Sequence, residues 1–392
     1  MAHTYELSPE LEMFRSTVRR LAREHVAPRA AAIDATGEFP WDIVQVFREN
    51  GLLGVGMPEH LGGGGGDMLT TALVIEEVAR VCATSALIIA AQHLGALPLM
   101  LAATSAQKER WLAPVARGEV LAAFALTEPE AGSDAGAARL TAVRNGADWV
   151  LTGNKIFITN GGLAKVVVVF AATPDDGPRS MTAFVVAGDA PGLHVGRVED
   201  KMGIRASQTA ELVFDGVAVP DDQRLGAVGE GFKIAMRTLD RSRLGIAAPA
   251  LGIADGAVTL ARRHLATRRQ FGRALAEFQG LQWMAADLAT QIEAARQLLY
   301  RAATVVEAAG FGAVPEDQAR EATRLSAMAK LFCSDTAMRT ATDAVQLFGG
   351  YGYIRDYQVE RFMRDAKITQ IYEGTNQVQR IVIFRNLEDP AT

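Results

Sequence analysis

The chain has 392 residues, of which 49% are hydrophobic and 22% charged, and its 40 Lys and Arg against 45 Asp and Glu give a formal net charge of −5. This apolar content excludes a disordered chain, and the mildly acidic balance argues against nucleic acid as a partner. The length predicts two or three packed units. The two cysteines, Cys82 and Cys333, are too few for a disulfide framework and favour a reducing compartment, so we expect a cytoplasmic protein.

The first third of the chain is expected to be helical. Ser8 followed by Pro9 is typical of a helix N-cap with proline in the first turn. Apolar residues then recur at helical spacing at Leu11, Phe14, Val18 and Leu21. The five glycines Gly62–Gly66 have no strand before them and no Lys-Ser/Thr pair after them. They therefore fit neither a dinucleotide-binding nor a P-loop pattern, and they predict a mobile loop.

One stretch of this third, Val81–Gln107, contains no charged residue. Its central part, Ala86–Ala103, is long enough for a transmembrane helix, but Gln92, His93 and Pro98 in the middle are costly in lipid. We therefore favour a buried helix that lines an apolar pocket, and we expect no membrane span. The first 20 residues mix acidic and basic residues with no apolar core, so no signal peptide is predicted.

Between Phe124 and Gly231 the pattern changes to short β-rich runs with no helices between them. These runs are Trp149–Thr152, Val166–Phe170, Met181–Val186 and Ala210–Phe214. They predict a separate β domain of antiparallel strands.

From Phe232 the chain returns to long helical patterns, with one apolar stripe over Leu281–Val305 and a further helix over Ala319–Phe348. Such helices usually pack as a bundle. We therefore predict the α+β class, with an N-terminal α-helical domain at 1–123, a middle β domain at 124–231 and a C-terminal α-helical bundle at 232–392.

The residue types of metal and hydrolase sites are present without the required spacing. Six histidines are scattered, none at metal-ligand spacing, and neither cysteine has a cysteine or histidine nearby, so no metal is predicted. No Gly-x-Ser-x-Gly elbow marks a nucleophile.

Two other features are candidate ligand sites. Ala125–Ala137 (ALTEPEAGSDAGA) offers Thr127, Ser133 and backbone amides beside glycine, which suits a planar polar ring or a phosphate. An ordinary capped turn explains the segment equally well. A cluster of arginines is either a solvated helix face or a diphosphate clamp, and it consists of Arg262, Arg263, Arg268, Arg269 and Arg273.

Glu373 is the candidate acid–base residue. It follows the glycine-containing segment QLFGGYG (346–352) and precedes Gly374 and Thr375, a predicted N-cap. On composition alone it is a surface carboxylate at a helix junction. Its apolar neighbours, Ile368, Ile371 and Tyr372, favour a raised pKa and a role as a base.

These motifs together resemble those of the acyl-CoA dehydrogenase family. ALTEPEAGSDAGA at 125–137 fits the family's first signature at every restricted position, and QLFGGYGYIRDYQVERFMRD at 346–365 fits the second. Further similar segments are KIFITNGG (155–162), KMGIRASQT (201–209), GEGFKIAM (229–236), RRQFGRAL (268–275) and IYEGTNQVQR (371–380). The resemblance runs from about residue 5 to residue 386 and is to the FAD-dependent, short- or medium-chain type.

The resemblance implies the acyl-CoA dehydrogenase fold, with an N-terminal helical domain, a middle β-barrel-like domain and a C-terminal four-helix bundle. It implies noncovalently bound FAD and oxidation of a short- or medium-chain acyl-CoA to the trans-2-enoyl-CoA, as in the β-oxidation of fatty acids. Glu373 matches the base that removes the α-proton, while hydride passes to flavin N5 and electrons go on to an electron-transfer flavoprotein. The base's own backbone N–H and a flavin ribityl hydroxyl would hold the thioester oxygen.

The resemblance also assigns contacts residue by residue. The implied FAD contacts are Phe124, Ala125, Leu126, Thr127, Glu128, Gly132, Ser133, Phe157, Ile158, Thr159, Arg268, Gln270, Phe271, Gln279, Gln346, Leu347, Phe348, Gly349, Gly350, Thr375, Asn376 and Gln377. Those at Arg268, Gln279 and 346–350 match contacts to the FAD of a neighbouring subunit, which implies a homo-oligomer, in this family usually a tetramer. The implied substrate contacts are Ser133, Asp240, Arg243 and Gly374.

The chain departs from its relatives at two informative positions. Phe157 stands where many members have tryptophan, which should alter flavin packing modestly. Ser242 precedes Arg243 at the place where isovaleryl-type enzymes carry their base, so Glu373 is expected to be the base here. Ala86 and Ala90, on the helix expected to line the acyl pocket, leave room for a longer chain.

Three alternatives to this function stay open. One is a dehydrogenase for short-branched-chain acyl-CoA. The second keeps the fold but acts on a thioester of acyl-carrier protein, or works as an oxidase with oxygen as the acceptor. The third is a noncatalytic flavoprotein-like binding module, which Glu373 and both signatures disfavour.

Overall fold

The computed structural model describes residues 6–177, 180–312 and 314–387. Its N-terminal part is helical, as predicted, and Ser8 caps the first helix by accepting a hydrogen bond from the Leu11 N–H at 3.3 Å. The helices are α1 (Pro9–Leu21), α2 (Ala30–Thr36), α3 (Trp41–Glu49), α4 (Met68–Ala79), α5 (Ala83–Ala102), α6 (Ser105–Gln107) and α7 (Ala113–Ala116).

The glycine run Gly62–Gly66 is a packed loop, so the prediction of a mobile loop is wrong. Its Gly65 N–H donates to the Met57 carbonyl at 3.0 Å, and the Gly65 carbonyl accepts from the Gly56 N–H at 2.7 Å. A Cβ on Gly63 would lie 2.5 Å from the Met57 carbonyl oxygen. The glycines are needed because two backbone segments approach each other too closely for side chains.

The charge-free stretch forms α5, which is buried against α4 and the first strand of the β domain as well as a later helix. Within the described ranges, α5 and the helix Gly231–Thr267 are long and apolar enough to cross a membrane, but most of each is covered by protein. Gln92 is fully buried in α5 and donates to the carbonyls of Val115 and Val120 at 3.0 and 2.8 Å. Its side-chain oxygen accepts from the Ala122 N–H at 3.0 Å. This glutamine therefore joins α5 to the chain that enters the β domain.

The middle of the chain is an eight-stranded sheet in the order β6-β7-β3-β2-β4-β5-β8, with β1 parallel to β4. The strands are β1 (Ala122–Ala125), β2 (Thr141–Asn145), β3 (Asp148–Thr159), β4 (Val166–Ala172), β5 (Met181–Ala187), β6 (Leu193–Val198), β7 (Thr209–Pro220) and β8 (Arg224–Leu225). Most neighbouring strands are antiparallel. The β-rich runs predicted from sequence lie in β3, β4, β5 and β7.

The C-terminal part is a helical bundle with a small hairpin. Its elements are α8 (Gly231–Thr267), β9 (Arg269–Gln270), β10 (Arg273–Ala274), α9 (Gln279–Ala308), α10 (Glu316–Phe348), α11 (Val359–Thr369) and α12 (Asn376–Arg385). The predicted stripe of α9 faces the core through Leu288, Ile292 and Leu299, which are buried. Helix α8 packs on α10 and α9 and also on α4 and α5, so it joins the two helical parts of the molecule. The α+β class is confirmed.

Candidate active site

Glu373 lies in a tight turn between α11 and α12. Its φ is 55°, and that of the following Gly374 is 88°, so two consecutive residues adopt left-handed backbone conformations. Such a conformation is unfavourable for a glutamate and persists only where its surroundings hold it. Thr375 then caps α12 as predicted, by accepting a hydrogen bond from the Val378 N–H at 3.3 Å.

The half-buried Glu373 carboxylate reaches across to α8. The Ser242 hydroxyl donates to Glu373 Oε2 at 2.7 Å. Burial raises the pKa of Glu373, while the Ser242 hydrogen bond and the positive charges of Arg243 and Lys330 act in the opposite direction. The raised pKa expected from the apolar neighbours is therefore confirmed in direction.

Two buried side chains donate hydrogen bonds to the backbone carbonyl groups of this turn. Gln379 Nε2 donates to the carbonyl oxygens of Glu373 and Gly374 at 3.0 and 2.9 Å. Lys330 Nζ, on α10, donates to the same Gly374 carbonyl at 2.8 Å. No hydrogen-bond acceptor for the Glu373 N–H is found among the residues that the structure describes. The turn therefore has its carbonyls bound and leaves one N–H available to a ligand.

A second polar group lies beside Ser242 on α8. Arg243 is buried and forms an ion pair with Asp240 one turn earlier, and Thr323 donates to the other Asp240 oxygen at 2.9 Å. Arg243 Nε has no hydrogen-bond partner within the described ranges although it is buried. Asp240 and Arg243 were both expected to contact substrate, and the structure brings them within one helical turn of the residue that binds Glu373. Ser133, the other predicted substrate contact outside the turn, is exposed after β1.

The expected flavin face lies where β1 ends beside β3. Ile156 N–H of β3 donates to the Thr127 carbonyl at 2.9 Å, which fixes the two segments together. A register irregularity in β3 spans Lys155 to Ile158, and within it Phe157 has a φ of 57° and is 60% exposed. An exposed aromatic ring next to this junction fits a planar heteroaromatic cofactor.

Glu128 has a structural role that the sequence pattern did not predict. Its carboxylate forms a buried ion pair with Lys155 at 2.7 Å and accepts the backbone N–H groups of Arg139 and Leu140 at 2.6 and 3.0 Å. Lys155 also donates to the Leu126 carbonyl at 3.0 Å. Both oxygens of Glu128 are occupied by protein donors, so its side chain shapes the 126–128 segment. The side chains of Ala125, Leu126, Ile158 and Leu347 are buried in the core, so only their backbone groups can face a ligand.

The remaining predicted FAD contacts lie at the other end of α8. His264 stacks on Phe348 with ring centroids 4.2 Å apart, and Arg268 lies over the Tyr351 ring at 5.1 Å. Phe271, in the β9–β10 hairpin, is 93% exposed. Arg268 follows Ser242 by 26 residues along α8, so the two groups are separated by about 39 Å of helix. One chain therefore carries two distant groups of predicted FAD contacts, which we call half-sites.

The sequence analysis did not predict a role for Lys330 or Gln379. It considered Ser242 only because it lies where isovaleryl-type enzymes carry their base. For Lys330 a signal was present, because it lies on the same helical stripe as Ser326, Cys333 and Ala337. All four are buried. A lysine on an otherwise small and apolar stripe indicates a buried cation with specific partners.

Family models match almost the whole chain. The N-terminal domain of acyl-CoA dehydrogenase matches residues 8–119, its middle domain matches 123–217 and its C-terminal domain matches 229–388. Fold and site together define a flavin-dependent dehydrogenase. The chain belongs to the acyl-CoA dehydrogenase family.

Relatives of known name span the full chain. The short-chain specific acyl-CoA dehydrogenase of Clostridium acetobutylicum is 47% identical over 97% of this chain and 98% of its own length. The cyclohexane-1-carbonyl-CoA dehydrogenase of Geobacter metallireducens is 45% identical over 98% of each chain. A chain in the solved structure of the electron transferring flavoprotein of Acidaminococcus fermentans is 45% identical, covers 98% of this chain and 100% of that one, and superposes with a TM-score of 0.93.

The protein is accordingly an enzyme that acts on CH–CH groups, with FAD as its cofactor. The acyl-CoA dehydrogenase of Bacillus anthracis was solved in complex with FAD, and it is 32% identical over 96% of this chain and 66% of that chain, with a TM-score of 0.89. The residues described above fit this cofactor, since Phe157 and Thr127 offer a ring face and polar edge, and Arg268 offers a guanidinium for a diphosphate.

Proposed function

We propose that this enzyme oxidises the Cα–Cβ bond of a short- or medium-chain acyl-CoA to the trans-2-enoyl-CoA, with Glu373 as the base that abstracts the α-proton. The observation that carries the proposal is the half-buried Glu373 carboxylate, whose pKa is raised by burial and which is aimed by the Ser242 hydroxyl. A base with a pKa nearer to the working pH is a stronger proton acceptor, and such a group contributes a factor of about 10²–10⁴ in rate.

The backbone around Glu373 supports the same chemistry. Removal of an α-proton develops negative charge on the thioester oxygen, and a donor held in place for that charge is worth roughly 10²–10³ in rate. The unpaired Glu373 N–H is such a donor, because Lys330 and Gln379 fix the turn that carries it. Bound FAD supplies the acceptor for the Cβ hydride, at N5.

The buried Arg243, with its unpaired Nε, supports binding of a phosphate of CoA. FAD would be held from one subunit by 124–128, 132–133, 157–159 and 375–377, and from a neighbour by 268–271, Gln279 and 346–350. This division supports a homo-oligomer, and we propose a tetramer. Large exposed apolar side chains at Phe271, Trp283 and Phe384 are consistent with subunit contacts.

Two substrate classes have support from relatives. The short-chain specific enzyme favours a short straight chain, and this is the class we propose. The cyclohexane-1-carbonyl-CoA dehydrogenase, at nearly the same identity, supports the branched alternative. The helix α5 carries Ala86 and Ala90, whose small side chains leave room for longer chains. The two classes can be distinguished by the initial rates of anaerobic flavin bleaching with straight, branched and cyclic acyl-CoA thioesters. A strict preference for four carbons would contradict the role of the two alanines.

We further propose that electrons pass to an electron-transfer flavoprotein, in a cytoplasmic β-oxidation pathway. The structural match to a chain in the solved structure of an electron transferring flavoprotein supports this acceptor. An oxidase would instead form hydrogen peroxide on addition of substrate in air, and a noncatalytic binding module would bind FAD without being bleached. Comparing the rates of flavin bleaching by acyl-carrier-protein thioesters and by CoA thioesters shows which of the two carriers the enzyme uses.

The decisive test of the base is Glu373→Gln. The variant should retain FAD and its yellow colour, because the amide preserves the shape of the side chain. It should fail to be bleached by acyl-CoA under anaerobic conditions, since it has no carboxylate to accept the α-proton. Bleaching at the wild-type rate would assign the base to another residue.

A further inference from the structure

Lys330 has a fully buried amine that contacts the turn carrying Glu373. It lies on α10, and none of its surface is exposed. Its Nζ donates to the Gly374 carbonyl at 2.8 Å and to Asn376 Oδ1 at 2.9 Å. A buried ammonium is strongly unfavourable unless it is hydrogen-bonded, and these two oxygens provide its acceptors.

The surroundings of Lys330 connect it to Glu373 in two ways. The first is mechanical, since Gly374 is the residue after Glu373 and the two form the left-handed part of the turn. The second is electrostatic. Glu373 from the turn and Asp335 from α10 favour the charged ammonium, and Arg243 from α8 disfavours it. Burial is the largest influence and lowers the pKa of Lys330 to about 7.

Asn376 shows that Lys330 belongs to a fixed framework. The Asn376 amide nitrogen donates to Ser334 Oγ at 2.9 Å and to Asp335 Oδ1 at 2.7 Å. Ser334 lies one turn after Lys330 on α10 and is also buried. The Lys330 ammonium is therefore anchored on one side by this framework, and on the other side it holds the Gly374 carbonyl.

We infer that Lys330 is a positioning residue for the proton-abstraction step, one that fixes the Glu373–Gly374 turn and, in its ammonium form, favours the ionised Glu373 carboxylate. This inference rests on the proposed role of Glu373 as the base. Lys330 itself touches neither substrate nor cofactor in this assignment. It acts through the Gly374 carbonyl and through its charge.

Three variants separate the two contributions. Lys330→Met removes both the donor and the charge. Lys330→Gln removes the charge and retains a donor for Gly374, and Lys330→Arg retains both in a different shape. Ser334→Ala is the matched control, because it disturbs the same framework at Asn376 without changing a charge.

The measurement uses the FAD-loaded protein and isolates the proton step. In a 3-thia-acyl-CoA, sulfur replaces the β-carbon, so the α-proton can be removed but no hydride can follow. Exchange of the α-hydrogen for deuterium in D₂O, followed by mass spectrometry over a range of pH, reports the base directly. Flavin bleaching by a normal acyl-CoA, FAD content and Tm are recorded in parallel.

For Lys330→Met we expect exchange slowed at least tenfold at neutral pH, chiefly because the turn is no longer fixed. The rising limb of the pH profile should also move upward, by up to about half a unit, because loss of a nearby positive charge raises the pKa of a carboxylate. Lys330→Gln should show the same upward movement with a smaller loss of rate. In Lys330→Arg the rising limb of the pH profile should lie near that of the wild type, because the positive charge is retained. Ser334→Ala should lower the Tm without moving the limb.

The inference is contradicted if the pH profiles of exchange in Lys330→Met and Lys330→Gln both match that of the wild type. It is also contradicted if the pH profile of Ser334→Ala moves as far as theirs. If Lys330→Met does not fold, Lys330→Gln and Lys330→Arg carry the comparison. Glu373→Gln, run beside them, separates this inference from the proposed function. If Glu373→Gln still exchanges the α-hydrogen, the proposed role of Glu373 as the base is wrong. If Glu373→Gln does not exchange it but the Lys330 variants exchange it normally, only the role of Lys330 is wrong.

Discussion

Glu373 must ionise to act as a base, yet burial raises its pKa and so disfavours the charged form. The Ser242 hydroxyl, 2.7 Å from Oε2, is the strongest of the influences that act against burial. Position 242 is therefore informative even without a catalytic side chain, because its hydroxyl sets both the direction and the protonation of the carboxylate.

Ser242→Ala should raise the pKa of Glu373 further, because the ionised carboxylate loses a hydrogen bond. The base acts in its deprotonated form, so the rising limb of the pH profile for anaerobic flavin reduction should move to higher pH by about half a unit to one unit. Ser242→Thr retains the hydroxyl and should stay near the wild-type limb. Equal profiles for the alanine and threonine variants would contradict this role.

Glu373 should also reduce stability in a pH-dependent way. Below its ordinary pKa the carboxyl is protonated in both the folded and the unfolded chain, so burial carries no penalty from ionisation. Above the raised pKa the folded protein must bury a charge that the unfolded chain exposes to water. Glu373→Gln should therefore raise the Tm by a few degrees at pH 8 and have little effect near pH 4, in scans of both proteins at matched FAD occupancy. A constant difference across this range would show that ionisation plays no part.

At the scale of elements, one polar side chain of α5 links this helix to the segment that leads into the β domain. Gln92 satisfies the carbonyls of Val115 and Val120 and the N–H of Ala122 from inside an apolar helix. Backbone groups that lose such partners in a buried site each cost about 1–3 kcal/mol. The glutamine therefore contributes more to stability than its low hydrophobicity suggests.

Gln92→Leu keeps a similar volume but leaves these groups without a partner, so it should lower the free energy of unfolding by roughly 2–5 kcal/mol. Chemical denaturation measures the change. Gln318→Leu is the control, since Gln318 is exposed on α10, and its effect should stay within about 0.5 kcal/mol. A similar loss in both variants would mean that the buried hydrogen bonds are not responsible.

The elements that sequence predicted well are those determined by neighbours along the chain. Ser8 and Thr375 were recognised as N-caps because a cap is decided within four residues. The apolar runs in β4 and β5 and the stripe of α9 were found because burial imposes a short period on the sequence. The glycine run was misjudged because composition alone does not reveal that another backbone segment packs against it.

The parts of the site that were not predicted all depend on long-range contacts. Ser242 meets Glu373 across 131 residues of sequence, and Lys330 meets Gly374 across 44. No local pattern encodes such pairs. The family resemblance supplied Glu373 as the proposed base, but the residues that hold it in place are visible only in the structure, where α8, α10 and the α11–α12 turn meet.

At the scale of the whole molecule, the two half-sites at opposite ends of α8 predict that each FAD is shared between subunits. About 39 Å of helix separates Ser242 from Arg268. An enzyme of this kind loses cofactor when its subunits separate, so FAD retention should depend on protein concentration.

Two inactive variants should therefore complement each other. In a hybrid of Glu373→Gln with Arg268→Met subunits, one site carries both defects and the other carries none. Random mixing in dimers should restore roughly one quarter of wild-type activity. The mixture is prepared by co-refolding or co-expression, and each variant refolded alone is the control. No recovery in hybrids that are shown to form would place both residues in the same site.

The apolar character of α5 has a consequence for how the protein is made. Its covering helix, α8, begins about 130 residues after α5 ends. At a synthesis rate of roughly 5–20 residues per second, the face of α5 that packs on α8 stays uncovered on the ribosome for on the order of 10 s. During that interval the nascent chain exposes a segment that is as apolar as a transmembrane helix. The order of the two helices along the chain therefore sets how long this apolar face is exposed during synthesis.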